Sequence, residues 1–271
     1  MSLFTASLNS GSNGNCYYVG NSDEAVLVDV GISCRELEKR MERVGLNLEK
    51  VKAIFISHEH SDHISGVRVT SKKYNIPVYI NDRTYSNSKL QLERALTYRF
   101  GAHQPIEIGK LSVTPFPKRH DAADPYSFIV EGNETTIGVL TDIGSVCEHV
   151  RDYFSRCHAA FLEANYDEEM LQKGAYPFYL KRRISADHGH LSNAQSLELF
   201  KKHKSDLMSH VFLSHLSKDN NCPILARELF SKHAGQTEVI VASRYKESDV
   251  YEIRPDLTIN VSKKATQISL F

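Results

Sequence analysis

The 271-residue sequence predicts a layered α/β domain. Three observations carry that prediction. Short apolar runs of strand length recur along the whole chain. Stretches with helical apolar spacing lie between several of them. No Pro/Gly/Ser-rich linker or low-complexity run divides the chain, and this length fits one or two domains of about 150 residues each.

The first run is Ala25–Val30, "AVLVDV". A helix is expected over residues 33–45. Ser33 and Glu36 have capping-box spacing, Leu37, Met41 and Val44 share one apolar face, and Gly45 suits a helix end. Further strands are expected at Ala53–Ile56, Val78–Ile80, Ser112–Phe116, Thr136–Leu140, Ala160–Leu162, Val211–Leu213 and Glu238–Ala242. After Ala53–Ile56 the segment "SHEHSDHISG" reads as a tight polar loop, with a helix from Ile64 onward. Ser192 and Gln195 form a second capping-box pattern, which places His190 just before a helix N-terminus.

Composition narrows the function classes little. Hydrophobic content of 41% and charged content of 24% describe an ordinary soluble globular protein. A net charge of +0 gives no argument for nucleic acid or an anionic membrane, so any basic surface is local. The opening residues, "MSLFTASLNS", lack a signal-peptide pattern, and no apolar stretch reaches the ~18 residues of a membrane span, so a cytoplasmic, non-membrane protein is expected. The five cysteines show no CxxC spacing and read as reduced thiols.

Six strand-like runs end on an acid or a histidine: Asp29, His58, His120, Asp142, Glu163 and His215. Strand ends along one sheet edge are where a fold gathers a site from distant sequence. Within "SHEHSDH", His58 and His60 are two apart and point the same way in extended backbone, so one cation can take both. Asp62 and His63, past a bend, can face a second cation. Imidazoles and carboxylates crowded near a core carry a large desolvation cost, which divalent cations remove. Ligands of N and O without thiolate suit Zn²⁺, Mn²⁺ or Fe²⁺.

HxHxDH after a strand, with Asp29 upstream and His120, Asp142 and His215 downstream, resembles the metallo-β-lactamase superfamily across nearly the whole chain. The resemblance implies a four-layer αββα sandwich of two similar halves forming a single domain, with a two-metal site along one edge. It implies His58, His60 and His120 on one cation, Asp62, His63 and His215 on the other, and Asp142 bridging. Asp29 would orient the ligand loop. His60 stands where the redox di-iron branch has glutamate, and no flavin-binding domain fits, so hydrolysis is expected. A bound cation lowers the pKa of water from about 15.7 to about 7, supplying a nucleophile at neutral pH.

Three segments narrow the branch. Around Ser10–Asn15, "SGSNGN" forms a lip of small residues, with Ser12, Asn13 and Asn15 as phosphate contacts through a turn rich in backbone N–H groups. "FLEANYDEEML" supplies Glu163 as the partner of His190, and a protonated His190 can hand a proton to a leaving oxygen. Lys181, Arg182, Arg183 and Ser192 are further phosphate candidates, and Lys118 with Arg119 adds charge beside His120. Together "GSNGN", "SHEHSDH", "KRHDA", "LTDIG", "EANYD" and "KRRISADHGHLSN" resemble the bacterial YycJ/WalJ family, 5′-to-3′ exonucleases on double-stranded DNA associated with repair. The Glu163–His190 pair is similar to the leaving-group relay of the tRNase Z branch. Tyr166 departs from the family's usual histidine in "EANHD", which puts any acid–base or ligand role there in doubt.

Residues 1–260 are read as the hydrolase domain and residues 261–271 as a tail. Gln267, Leu270 and Phe271 in "QISLF" resemble the peptide that docks bacterial repair proteins on the DNA sliding clamp. Two other functions fit the residues. One is an RNA-processing nuclease or a small phosphodiester or thioester hydrolase on the same scaffold. The other is a non-catalytic, metal-stabilised regulatory protein.

Overall fold

The computed structural model describes residues 2–256. In chain order its elements are β1 (Leu3–Asn9), β2 (Cys16–Gly20), β3 (Ala25–Val28), α1 (Cys34–Arg43), β4 (Val51–Phe55), α2 (Ser61–Ile64), α3 (Val67–Tyr74), β5 (Val78–Tyr79), α4 (Asp82–Asn87) and β6 (Thr97–Tyr98). The second half comprises β7 (Ile106–Ile108), β8 (Leu111–Pro117), β9 (Tyr126–Gly132), β10 (Thr135–Leu140), α5 (Glu148–Phe154), β11 (Ala159–Glu163), α6 (Glu168–Lys173), α7 (Phe178–Ile184), α8 (Asn193–His203), β12 (His210–Ser214), α9 (Pro223–Ser231) and β13 (Glu238–Val241). The last described strand, β14 (Tyr251–Ile253), pairs antiparallel with β1 and so joins the first sheet.

Two 7-stranded sheets result, ordered β14-β1-β2-β3-β4-β5-β6 and β13-β12-β11-β10-β9-β8-β7. Each half runs an antiparallel meander into parallel strands: β1–β2–β3 then β4, and β8–β9–β10 then β11. Apolar side chains of both sheets, including Tyr17, Val28, Phe55, Phe128, Phe161 and Phe212, meet in a shared core. A second core, with Leu37, Met41 and Val67, lies under α1 and α3. A third, with Val150, Leu199, Phe200 and Phe230, lies under α5, α8 and α9. Helices therefore cover the outer face of each sheet, giving the expected four-layer sandwich.

Local details refine the expectations. Ser33 caps α1 by accepting from Glu36 N, but the Glu36 carboxylate pairs with Arg40 at 2.7 Å, so only half of that capping box forms. Gly45 ends the helix at φ +72°, a left-handed conformation that glycine adopts without strain. The Ser192–Gln195 box is complete. The helix expected from Ile64 begins earlier, at Ser61, so Asp62 and His63 ride in its first turn with His60 as N-cap.

Candidate metal centre

The six acid or histidine strand ends gather at one edge of the sandwich. Asp29 follows β3, His58 follows β4, His120 follows β8, Asp142 follows β10, Glu163 ends β11 and His215 follows β12. Three of them turn sharply out of their strands: Asp29, Asp142 and His215 have φ of 60°, 54° and 56°. Asp and His tolerate this left-handed region better than most residues, and its strain at a site is held by the surrounding packing.

Donor atoms of His58, His60 and His120 lie within 4.8 Å of one another, as do those of Asp62, His63 and His215. Asp142 lies between the two sets: one carboxylate oxygen is 3.3 Å from His63 Nε2, and the other is 3.4 Å from His215 Nδ1 and 3.9 Å from His120 Nε2. These seven residues are the ligand set expected from the sequence, and the fold brings them together.

Each buried imidazole is braced from behind. Asp29 Oδ2 is 2.7 Å from His63 Nδ1, and Asp29 also accepts from Ser57 N at 2.8 Å and Ser57 Oγ at 2.7 Å. Ser57 Oγ is 2.9 Å from His58 Nδ1. The Gly189 carbonyl is 2.9 Å from His120 Nδ1. Glu163 Oε1 is 3.2 Å from His215 Nδ1. In every case Nδ1 is engaged, which fixes the ring and leaves Nε2 for the centre. His120 Nε2, His215 Nε2 and Asp142 Oδ2 are buried without a hydrogen-bond partner. Buried polar atoms seldom go unpaired. Three such atoms converging among carboxylates and imidazoles fit divalent cations bound by N and O donors.

The electrostatics agree with that donor set. Burial holds His58 well below the usual imidazole range, and burial holds His120 at about 3 despite the field of Asp142. Burial also disfavours charge on His63 and His215. There the carboxylates win: Asp142, Asp29 and Asp62 lift His63 well above its ordinary value, and Asp142, Asp62 and Glu163 lift His215 to about 10. Burial opposes ionisation of Asp142 as well, but His215 and His63 hold its carboxyl well below the carboxylate range.

Glu163 is fully buried and central. One oxygen is 2.8 Å from His190 Nδ1, and the other accepts from Ile143 N at 2.7 Å and Leu191 N at 3.2 Å. Burial would raise its carboxyl, but the field and hydrogen bond of His190, with the bond from His215, bring it down to about 2. Glu163 thus braces His215 as well as His190, a double role that the sequence does not reveal. His190 keeps a side chain 20% exposed, at the mouth of the cluster. His188 is exposed and stands apart.

The phosphate candidates differ in burial and partners, and for Asn15 and Ser192 burial runs against the expectation. Asn15 is fully buried and works behind the centre: its Nδ2 is 3.1 Å from His63 Nε2 and 3.2 Å from Asp62 Oδ2. Ser192 is also buried, its hydroxyl accepting from Gln195 N and donating to Glu168 at 3.0 Å, so helix capping consumes it. Lys181 donates to the Gln172 carbonyl at 2.6 Å, and Arg183 is held by Asp121 at 2.6 Å. Lys118 is buried and donates to the Thr141 carbonyl at 2.6 Å; burial lowers its pKa against the fields of Asp142 and Asp29. Ser12, Asn13 and Arg182 remain exposed. Tyr166 is buried, its hydroxyl pushed up to about 12 by burial, which makes it a neutral hydrogen-bonding group rather than an anionic ligand. Gln267, Leu270 and Phe271 lie outside the described residues.

Sequence reading missed two groups. Ser57 was visible in "SHEHSDH" but carried no metal-ligand signal of its own. Arg244 donates to Ser12 Oγ at 3.4 Å, and its backbone carbonyl accepts from Asn13 at 2.8 Å, so it fastens the small-residue lip. No local pattern marks it. Gly31 also supports the centre: a Cβ there would overlap the Asp62 carbonyl, which accepts from Asn15 N at 2.7 Å.

Residues 24–216 match the Beta-lactamase superfamily domain. The chain belongs to the YycJ/WalJ family of the metallo-β-lactamase superfamily. It is 36% identical over 230 residues to exodeoxyribonuclease YycJ of Bacillus anthracis, covering 84% of this chain and 87% of that protein. It is 32% identical over 254 residues to exodeoxyribonuclease WalJ of Streptococcus pneumoniae, covering 92% and 93% respectively. The fold is shared with the metallo-beta-lactamase fold protein YhfI of Bacillus subtilis, at a TM-score of 0.71 and 18% identity, covering 93% of this chain and 100% of that one. The family member described here is a metal-dependent hydrolase. Among the described residues no helix is long and apolar enough to cross a membrane.

Proposed function

We propose that the protein is a 5′-to-3′ exonuclease on double-stranded DNA, acting in DNA repair. The observation that carries the reading is the Glu163–His190 pair at the mouth of the centre, 2.8 Å apart. A thioester hydrolase, whose thiolate leaves without a proton, has less need of a proton donor there than a phosphodiesterase, whose leaving alkoxide requires one. The names of the two long relatives support DNA as substrate.

His58, His60 and His120 would hold one cation, Asp62, His63 and His215 the other, with Asp142 shared. Two divalent cations of the Zn²⁺, Mn²⁺ or Fe²⁺ class, when bound, supply Lewis-acid charge and lower the pKa of water. Asp29, Ser57 and Glu163 keep the imidazoles aimed. Glu163 engages His190 Nδ1 at 2.8 Å, so proton delivery to the leaving oxygen falls to Nε2. Ser12, Asn13 and Arg182 meet phosphates at the rim.

The reading predicts at least about tenfold faster degradation of linear duplex DNA than of RNA of the same sequence, a scale set by a site built around one substrate's polar groups. A gel assay of matched end-labelled substrates checks this; faster cleavage of RNA would replace the DNA reading with an RNA-processing one. Docking on the sliding clamp through Gln267, Leu270 and Phe271 belongs to the same proposal. Deleting residues 262–271 should abolish clamp binding and leave nucleolysis intact, and unchanged clamp affinity would reject the docking.

A further inference from the structure

We propose that Phe178 and Tyr179 form a stacking platform for the bases of the strand end entering the site, with Arg182 and Arg244 holding its phosphates. The proposal rests on the nuclease reading above and adds the surface that engages the substrate. None of the residues of α7 is buried, and Phe178 and Tyr179 are each 74% exposed. Neither joins any of the three hydrophobic cores. The fold therefore buries neither of these two adjacent large aromatics in a core, which points to a partner.

The far end of α7 is tied to the centre. Arg183 pairs with Asp121 at 2.6 Å, and the other Asp121 oxygen is 3.4 Å from His120 Nε2. The Ile184 carbonyl accepts from His190 N at 2.8 Å. At 1.5 Å per residue, Phe178 stands roughly 9 Å along the helix from Ile184. That is about three nucleotide steps at 3.4 Å per step of one strand.

The charge nearby favours a nucleic acid over an apolar partner. The Arg182 guanidinium lies 5.9 Å from the Phe178 ring centroid, and Arg183 follows it. Arg244 fastens the lip through Ser12, and its Nη1 is buried without a hydrogen-bond partner. Tyr176, just before α7, is near enough to Arg244 for that charge to act on its hydroxyl, and it donates to Asp219 at 2.9 Å. Aromatic rings beside arginines, next to a phosphodiester site, are the composition that binds single strands by stacking and charge.

The test is anisotropy binding of a fluorescent duplex with a short 5′ overhang, in a cation-loaded His190→Ala background that spares the probe. Phe178→Ala with Tyr179→Ala should weaken binding roughly tenfold or more, the scale of lost base stacking. Tryptophan at both positions should restore it. The penalty should vanish on an overhang of abasic residues, and Ile224→Ala, an exposed residue on α9, should change nothing. Unchanged affinity in the double variant, or an equal loss on the abasic strand, overturns the platform. So does a changed sedimentation coefficient with unchanged DNA binding, which would assign the rings to a second copy of the chain. If the protein without substitutions at positions 178 and 179 fails to bind DNA while the wild-type enzyme hydrolyses bis(p-nitrophenyl) phosphate, the nuclease reading itself is wrong. If it binds and the double variant binds equally, only the platform falls.

Discussion

Asp142→Ala should lower phosphodiester hydrolysis on the order of 10³-fold, the scale of losing a charge that stabilises the reacting centre. The expectation follows from where that carboxylate sits. It follows β10 in a left-handed turn at φ 54°, so its two oxygens reach both donor sets. One oxygen approaches His63 at 3.3 Å, and the other lies 3.4 Å from His215 and 3.9 Å from His120. Removing it leaves His63 and His215 facing each other with less negative charge between them, and would take from the proposed cations the ligand they share. Elemental analysis of the purified variant should show fewer than two cations per chain, alongside the kinetic loss. Full cation content with wild-type turnover would remove Asp142 from the centre.

His190→Ala should act differently. We expect kcat on DNA to fall about 10²–10⁴-fold, the usual range for a positioned general acid, with cation content unchanged. His190 stands outside the His58–His60–His120 and Asp62–His63–His215 sets, although its donor atom lies within 4.8 Å of those of Asp142, Glu163 and His215. Its Nδ1 is held by Glu163 at 2.8 Å, and its side chain is 20% exposed, where a substrate can reach. A p-nitrophenolate leaving group needs little protonation, so bis(p-nitrophenyl) phosphate should lose less than about tenfold. An equal loss on both substrates would make His190 a structural brace rather than a proton donor. Unchanged DNA degradation would end its catalytic role.

Much of this was legible in the sequence because the candidate site residues sit where apolar runs stop. Asp29, His58, His120, Asp142, Glu163 and His215 could be picked from strand ends alone, and they converge. Three of the strands that sequence reading missed have physical reasons. In β1, "LFTASLN", Thr5, Ser7 and Asn9 are buried, so polar residues interrupt the apolar signal; the Thr5 hydroxyl donates to the Tyr18 carbonyl at 2.7 Å. Edge strands β6 and β14 are two and three residues long, too short for any period to show.

The corrections share a cause. Asn15, Ser192 and Lys118 were read as substrate contacts from residue type and neighbourhood, but type does not reveal which way a side chain turns. Each turns inward: Asn15 toward His63, Ser192 toward the α8 cap and Lys118 toward the Thr141 carbonyl. Arg244, far away in sequence, fastens the lip through Ser12 and Asn13, which no local pattern marks. Ser57 shows the same limit. Its hydroxyl joins Asp29 to His58, a link that depends on two strands lying side by side.

The most direct measurement is degradation of end-labelled linear duplex DNA with added Mn²⁺ or Zn²⁺ by the wild-type protein, Asp62→Ala and His63→Ala. Stepwise loss of 5′ nucleotides by wild type, absent from both variants, is the expected result. Equal degradation by all three proteins, or none by cation-loaded wild type, would contradict a DNA exonuclease working through this centre.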